Sequence, residues 1–343
     1  MIDWWLILDK VILVVIIFTI SLAIAAYSTY GERKVAAFLQ DRIGPNRAGP
    51  FGLLQPLADG VKFFLKEEIT PSSSDKFLFM LGPCIFMMTA LMTSAIIPWG
   101  KPLYFGDHEF GLQVANLNVG ILYILAVVSI GGYGIMIGGW ASNNKFSLLG
   151  ALRASSQMIS YELPMGMAII AVLLMSGSLN IKEIVDQQQG FHWNVFYQPL
   201  GFIIFLVCAF AECNRTPFDL PESESELVGG YHTEYSSMKL GLFLFAEYIN
   251  MFISSAIIAC LFFGGYHFPG IDSLNLSPNL ASIVSIMVLF SKIFFFIFFF
   301  MWVRWTVPRF RYDQLMRLGW KVLIPLSILN VLATGAWLTF VKS

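Results

Sequence analysis

Eight long apolar runs govern what this chain can become, at residues 11–30, 77–98, 119–141, 160–178, 196–213, 238–264, 280–303 and 322–341. About 20 apolar residues is the length of helix that crosses a bilayer core. Inside lipid, every backbone N–H and C=O must be paired within the protein, which leaves only helices and closed barrels. Barrel strands are about half as long as these runs and alternate in polarity. The sequence therefore predicts an all-α polytopic membrane protein forming a single membrane domain over residues 1–343. With only 13% charged residues, against roughly 25% in soluble domains, it does not compose a soluble fold. The fourth and fifth runs are the weakest, because polar residues crowd their ends. No internal repeat is visible.

The N-terminus, MIDWWLILDK, sets Asp3 and Asp9 against Lys10. It lacks the basic start of a signal peptide, and the run behind it is long enough to span. Basic residues fix the orientation. The odd-numbered loops hold sixteen of them, while the even-numbered loops hold only Lys101 and Lys182. The odd loops are thus predicted to face the cytoplasm, with both termini on the periplasmic side. A net charge of -1 carries no nucleic-acid footprint.

Two cytoplasmic loops stand out. In loop 1, residues 51–68 (FGLLQPLADGVKFFLKEE) place Leu54, Leu57, Val61 and Phe64 on one helical face and Gln55, Asp59, Lys62 and Lys66 on another. Too short to span, this segment reads as an amphipathic helix lying in the interface. It serves either as an anchor or as the rim of an entrance for a lipid-soluble substrate. Ahead of it, RIGPNRAGP offers Arg42 and Arg47 to an acidic partner protein or to lipid headgroups. Loop 5, residues 214–237, is acidic. From 211 to 236 the chain carries Glu212, Asp219, Glu222, Glu224, Glu226 and Glu234 against one base, Arg215. Pro217 and Pro221 favour an extended start, and an extended segment puts Glu222, Glu224 and Glu226 on one side.

Ionisable groups within spans are costly and mark function. Glu162 is predicted at the cytoplasmic start of span four, Glu212 at the cytoplasmic end of span five, and Glu247 about nine residues into span six. Carboxylates crowded in a poorly hydrated place cannot all ionise at once, so they titrate as a coupled set that holds and passes protons. Lys292, near the middle of span seven, is expected to pair with an acid or to line a wet cavity. Arg304, Arg309 and Arg311 follow that span, and Arg304 or Arg309 is expected to pair with loop 5. The cysteines (Cys84, Cys208, Cys213, Cys260) read as small buried hydrophobes. His108, His192, His232 and His267 all fall in loops, and no nucleotide or iron–sulfur motif is present. Any electrons must come from a partner.

Four segments together resemble one family: 31–68 (GERKVAAFLQDRIGPNRAGPFGLLQPLADGVKFFLKEE), 150–166 (GALRASSQMISYELPMG), 211–239 (AECNRTPFDLPESESELVGGYHTEYSSMK) and 303–321 (VRWTVPRFRYDQLMRLGWK). The resemblance is to the H-subunit family of proton-pumping NADH:quinone oxidoreductases, respiratory complex I. It covers nearly the whole chain. Thr216 and Gly229 stand where many members carry alanine. The resemblance implies a multi-pass subunit of the bacterial inner membrane that carries no cofactor itself. FMN and iron–sulfur clusters would sit in partner subunits, and ubiquinone or menaquinone would be the substrate. The partners would be the peripheral quinone-site and iron–sulfur subunits, the antiporter-like and small membrane subunits, and lipids. By motif, Glu32, Arg33, Asp59, Lys62, Arg215, Arg304 and Arg309 would line or support the quinone chamber. Glu162, Glu212, Asp219, Glu222, Glu224, Glu226 and Glu247 would form the proton path, with Asp219 at the junction of the two. The competing readings are the similar membrane subunit of a membrane-bound hydrogenase or F420H2 dehydrogenase, a standalone ion or proton transporter, and a purely structural anchor.

Overall fold

The structure, a computed structural model, describes residues 4–106, 108–222, 224–270 and 277–342. Among the described residues, seven helical segments are long and apolar enough to cross a membrane. They are α1 (Trp4–Leu39), α3 (Lys76–Thr93), α4 (Gly120–Ala141), α5 (Lys145–Ser176), α10 (Ser237–Phe262), α11 (Pro278–Thr306), and α12 with α13 (Tyr312–Arg317 and Ile324–Lys342), which a π-helical stretch joins. Shorter helices are α2 (Gln55–Leu65), α6 (Ile181–Gln187), α7 (Asn194–Tyr197), α8 (Pro199–Glu212) and α9 (Glu224–Leu227). Two three-residue strands, β1 (Leu103–Phe105) and β2 (His108–Phe110), form an antiparallel hairpin, a small exception to the all-α expectation.

Helix α3 packs on α4, α4 on α5, α5 on α8, and α10 closes the ring against α8 and α3. Helices α1 and α11 flank α10 on its other side, and α13 flanks α5. Helix α10 is thus the axis, with two thirds of its most apolar window buried, against 22% for the α12–α13 segment. Close approach within the ring rests on glycine. A Cβ on Gly82 of α3 would sit 2.7 Å from the Gly138 Cα of α4, so these backbones touch as small residues permit between membrane helices. Gly82→Val is expected to part α3 from α4 at a cost of about 1–3 kcal/mol. A native gel of solubilised membranes checks this by the amount of chain found in assembled complexes.

Three expectations need correction. The predicted fifth span is divided: α7 ends at Tyr197, and α8 begins at Pro199 and runs for only 14 residues. At 1.5 Å per residue that is ~21 Å, short of the ~30 Å hydrocarbon core. Helix α5 starts at Lys145 rather than near residue 160, because the Asn144 side chain accepts a hydrogen bond from the Phe146 amide and caps it. Glu162 therefore lies mid-helix, ~25 Å from the start of α5. Among the described residues, Lys292 does not pair with an acid. Its ammonium donates to the carbonyls of Phe263 (2.6 Å), Gly265 (2.8 Å) and His267 (2.6 Å). Helix α10 ends there, and Gly264 and Gly265 turn the chain through positive φ. Three ammonium protons thus satisfy carbonyls that lipid could not.

The amphipathic element of loop 1 forms, though over 55–65 rather than 51–68, because Pro50–Gly52 makes a separate 3-10 turn. Leu57, Val61 and Phe64 on its apolar face are all more than half exposed, while Pro56 is buried and Phe63 meets Gly241 of α10. An exposed apolar face, with Gln55 and Asp59 half-buried and Lys62 exposed on the polar side, is the posture of an interfacial helix.

Candidate functional site

Between α1, α2, α10, loop 5 and the inner end of α11 lies a cavity of about 360 Å³, within the range of small-molecule sites. Its walls carry four acids (Glu32, Asp59, Glu222, Glu247) and four bases (Arg33, Lys62, Arg215, Arg304), with Phe63, Tyr248 and Trp305 between them. Acids and bases are equal in number, and Glu32, Asp59 and Glu247 each stand beside a base.

Arg215 holds the centre. The tight turn after α8 buries it to 5% exposure. Its guanidinium reaches Glu32 of α1 at 3.4 Å and Glu247 of α10 at 3.6 Å, and it lies 4.1 Å over the Tyr248 ring. Its Nε and Nη2 have no hydrogen-bonding partner among the described residues. Glu32 also accepts from the Tyr248 hydroxyl (2.8 Å) and pairs with Arg304 (2.5 Å). Glu247 accepts from the fully buried Tyr231 hydroxyl at 2.8 Å. Nearer the surface, Asp59 of α2 pairs with Arg33 at 2.8 Å and lies 4.0 Å from Lys62. Six of the seven predicted chamber residues therefore line one cavity. The seventh, Arg309, stands beside it on Asp219 at 2.7 Å. The expected pairing of α11's basic tail with loop 5 is thus made by Arg309, and Arg304 turns to Glu32 instead.

Loop 5 is not the extended ladder the alternation suggested. Glu224–Leu227 is a helical turn, and it sends Glu222 and Glu226 apart. Glu222 faces the cavity, 3.7 Å from His232. Glu226 points outward to Arg153 of α5 at 2.5 Å. The Glu224 side chain lies outside the described residues. Gly230 shapes this turn. Its φ is +60°, and a Cβ there would fall 1.6 Å from the Pro221 carbonyl oxygen. Gly230→Ala is expected to push Pro221 and Glu222 out of place and to lower quinone reductase activity at least tenfold in complexes that still assemble. Wild-type activity in that variant would show that the chamber does not depend on this turn.

In loop 5, Asp219 has a raised range. Burial comes first and the charge of Glu222 second, and together they outweigh Arg309 and Arg215 and push its carboxyl up to about 7. The shift favours the protonated form, so Asp219 keeps its proton below neutrality and the full ion pair with Arg309 exists only above it. Arg309→Gln removes the opposing cation and is expected to move this titration upward. The pH profile of quinone reduction and the carboxyl infrared band of the complex both read it.

The remaining acids lie deeper. Glu212, buried at the end of α8, lines a separate cavity of about 30 Å³ with Met165 of α5, Leu125 and Val128 of α4, and Ser254 of α10. That is room for one or two waters. Glu162 of α5 accepts a short hydrogen bond from Ser129 of α4. Both residues lie one turn from that cavity, through the i, i+3 and i, i+4 neighbours Met165 and Leu125. Ser254 lies two turns along α10 from Glu247, ~10 Å of helix. Of the predicted proton residues, Glu222 and Glu247 line the larger cavity, Glu212 lines the smaller one with Glu162 a turn away, and Glu226 stands apart from both. Sequence reasoning did not assign Tyr231, Tyr248 or Ser129, which hold these carboxylates. Tyr231 and Tyr248 stand close to acids in sequence, the one signal that could have raised them.

Residues 11–335 match the family profile described as NADH dehydrogenase. The chain is 68% identical to an H subunit of the NADH-quinone oxidoreductase of Cytophaga hutchinsonii, covering 96% of each chain. It is 63% identical to the corresponding H subunit of Flavobacterium psychrophilum over 98% of each. Against an H subunit from Geobacter metallireducens it is 50% identical, covering 95% of this chain and 94% of that one. Long motifs, full-length coverage and a profile spanning nearly all residues agree, and the chain belongs to the H-subunit family of NADH-quinone oxidoreductases.

Proposed function

We propose that this chain is the quinone-side membrane subunit of a proton-pumping NADH:quinone oxidoreductase in the bacterial inner membrane. It would cross the membrane eight times, with α7 and α8 counted as one crossing and both termini periplasmic. Quinone would reach the charge-balanced cavity past the exposed apolar face of α2. Partner subunits with FMN and iron–sulfur clusters would deliver two electrons, and reduction to quinol then takes up two protons. Arg215 stabilises negative charge as it develops on the headgroup. Glu247 and Glu222 stand next to that charge and answer it by changing their proton count. The small cavity beside Glu212, which Ser254 of α10 also lines, would hold a water that continues the path inward, so proton demand at the chamber would propagate along Glu212 and Glu162 toward neighbouring membrane subunits.

The single observation that carries this reading is Arg215, buried between two carboxylates on the wall of a cavity that α2 also lines. A standalone transporter is disfavoured because the charge is gathered at one end of the bundle. Isolation of the tagged chain in mild detergent tests the assignment. NADH:quinone reduction and iron–sulfur signals in the same fraction support it. Iron–sulfur signals with hydrogenase activity and no NADH oxidation would move the chain to a related complex. A chain that purifies alone and intact would reopen the transporter reading.

A further inference from the structure

On the opposite face of α1 from the chamber runs a second space. Two contiguous cavities, of about 420 Å³ and about 610 Å³, share Val35 of α1 and Phe298 of α11. The chamber uses Ala26, Thr29 and Arg33 of α1, whereas this crevice uses Tyr27, Gly31, Lys34 and Phe38. At 3.6 residues per turn these are two different stripes, so α1 is a partition with the chamber behind it and the crevice in front.

The crevice is apolar along its length and cationic at one end. Its inner mouth carries Lys34 and Arg42, and its lining contains no carboxylate. Lys34 donates to the Ile43 carbonyl at 3.2 Å and Arg42 to the Gln40 amide oxygen at 2.8 Å. Among the described residues neither cation has an acidic partner. From Lys34 down to Ala23, the far end of the 420 Å³ cavity, is eleven residues of α1, or ~16 Å. That is about half of a ~30 Å hydrocarbon core, the depth of one leaflet.

We propose that the α1–α11 crevice binds an anionic phospholipid, its phosphate on Lys34 and Arg42 and an acyl chain along Tyr27, Phe294 and Phe298. Positive charge at the mouth, one leaflet of apolar depth and the absence of an acid together select that chemistry over a zwitterionic lipid or a peptide. The lipid would brace α1, the wall that carries Glu32 and Arg33 into the chamber. The inference is independent of the chamber's function and is tested without an activity assay.

The whole complex, reconstituted in phosphatidylcholine vesicles, is photolysed with a trace of diazirine-tagged phosphatidylglycerol or of the matching tagged phosphatidylcholine. Labelled peptides are then read by mass spectrometry. The expected result is labelling of α1 and α11 peptides several-fold stronger with the glycerol probe. In Lys34→Ala/Arg42→Ala complexes of normal subunit content it falls roughly thirtyfold, as the loss of two interfacial cations implies. Millimolar glycerol phosphate leaves it unchanged. Equal labelling by both probes in the wild type would overturn the proposal, as would labelling indifferent to the double substitution. Displacement by glycerol phosphate would make this a site for a soluble phosphate. Absence of lipid labelling, with a neighbouring subunit captured by a photoreactive phenylalanine analogue placed at position 298, would assign the crevice to protein.

Discussion

Complexes carrying Arg215→Met are expected to retain about 1% or less of their quinone reductase activity. They should still oxidise NADH with a water-soluble acceptor that bypasses the chamber. The methionine fills much of the arginine's volume but leaves Glu32 and Glu247 facing each other at buried positions. Removing one partner from a buried ion network costs about 3–5 kcal/mol, which is two powers of ten or more in rate if it falls on the transition state. Part of the cost is avoidable, because the carboxylates can take up protons. For that reason the lesion is expected in catalysis more than in assembly. Arg215→Lys keeps the charge but not the planar fork that lets one group reach both carboxylates and cover Tyr248, so it is expected to recover only part of the activity. Full activity in the methionine variant would remove Arg215 from the centre of the site.

Glu247→Gln carries the second large effect. The carboxamide oxygen still accepts from Tyr231, whose hydroxyl lies 2.8 Å away, and the volume barely changes. What disappears is a group that gains and loses a proton. Positioned proton transfer is worth about 10²–10⁴ in rate, so coupled quinone reduction is expected to fall about a hundredfold or more while subunit content stays normal. Steady-state rates on assembled complexes, with proton uptake followed by a pH dye, measure both parts. A variant that reduces quinone and pumps at wild-type rates would take Glu247 out of the path.

The spans were legible because hydrophobic length is a direct statement about the bilayer. Their ends were not, because polar helix reads as loop. Residues 145–159 carry Arg153 and several serines yet continue α5, held by the Asn144 cap and by Gly150 against the Gly230 backbone. That Glu32, Arg33, Asp59, Lys62, Arg215 and Arg304 share one cavity was legible through motif resemblance, and the acids stood out through their cost in lipid. Their partners were hidden in tertiary geometry. Nothing along the chain says that Tyr248 holds Glu32, 216 residues away, or that Lys292 answers the carbonyls at the end of α10 rather than an acid. The Glu222–Glu226 alternation misled because Glu224–Leu227 coils into a turn, whereas the period-two argument assumes an extended strand.

Glu212→Gln tests the central claim most directly, because Glu212 lines the inner cavity and not the chamber. The measurement is NADH:quinone reduction and proton pumping together, in vesicles containing the assembled variant complex, over a range of quinone concentrations. If a carboxylate file links the chamber to the membrane arm, kcat and pumping fall together while the quinone KM stays at the wild-type value. Full turnover with full pumping would contradict the account, and a change confined to KM would show that Glu212 belongs to quinone binding and not to proton transfer.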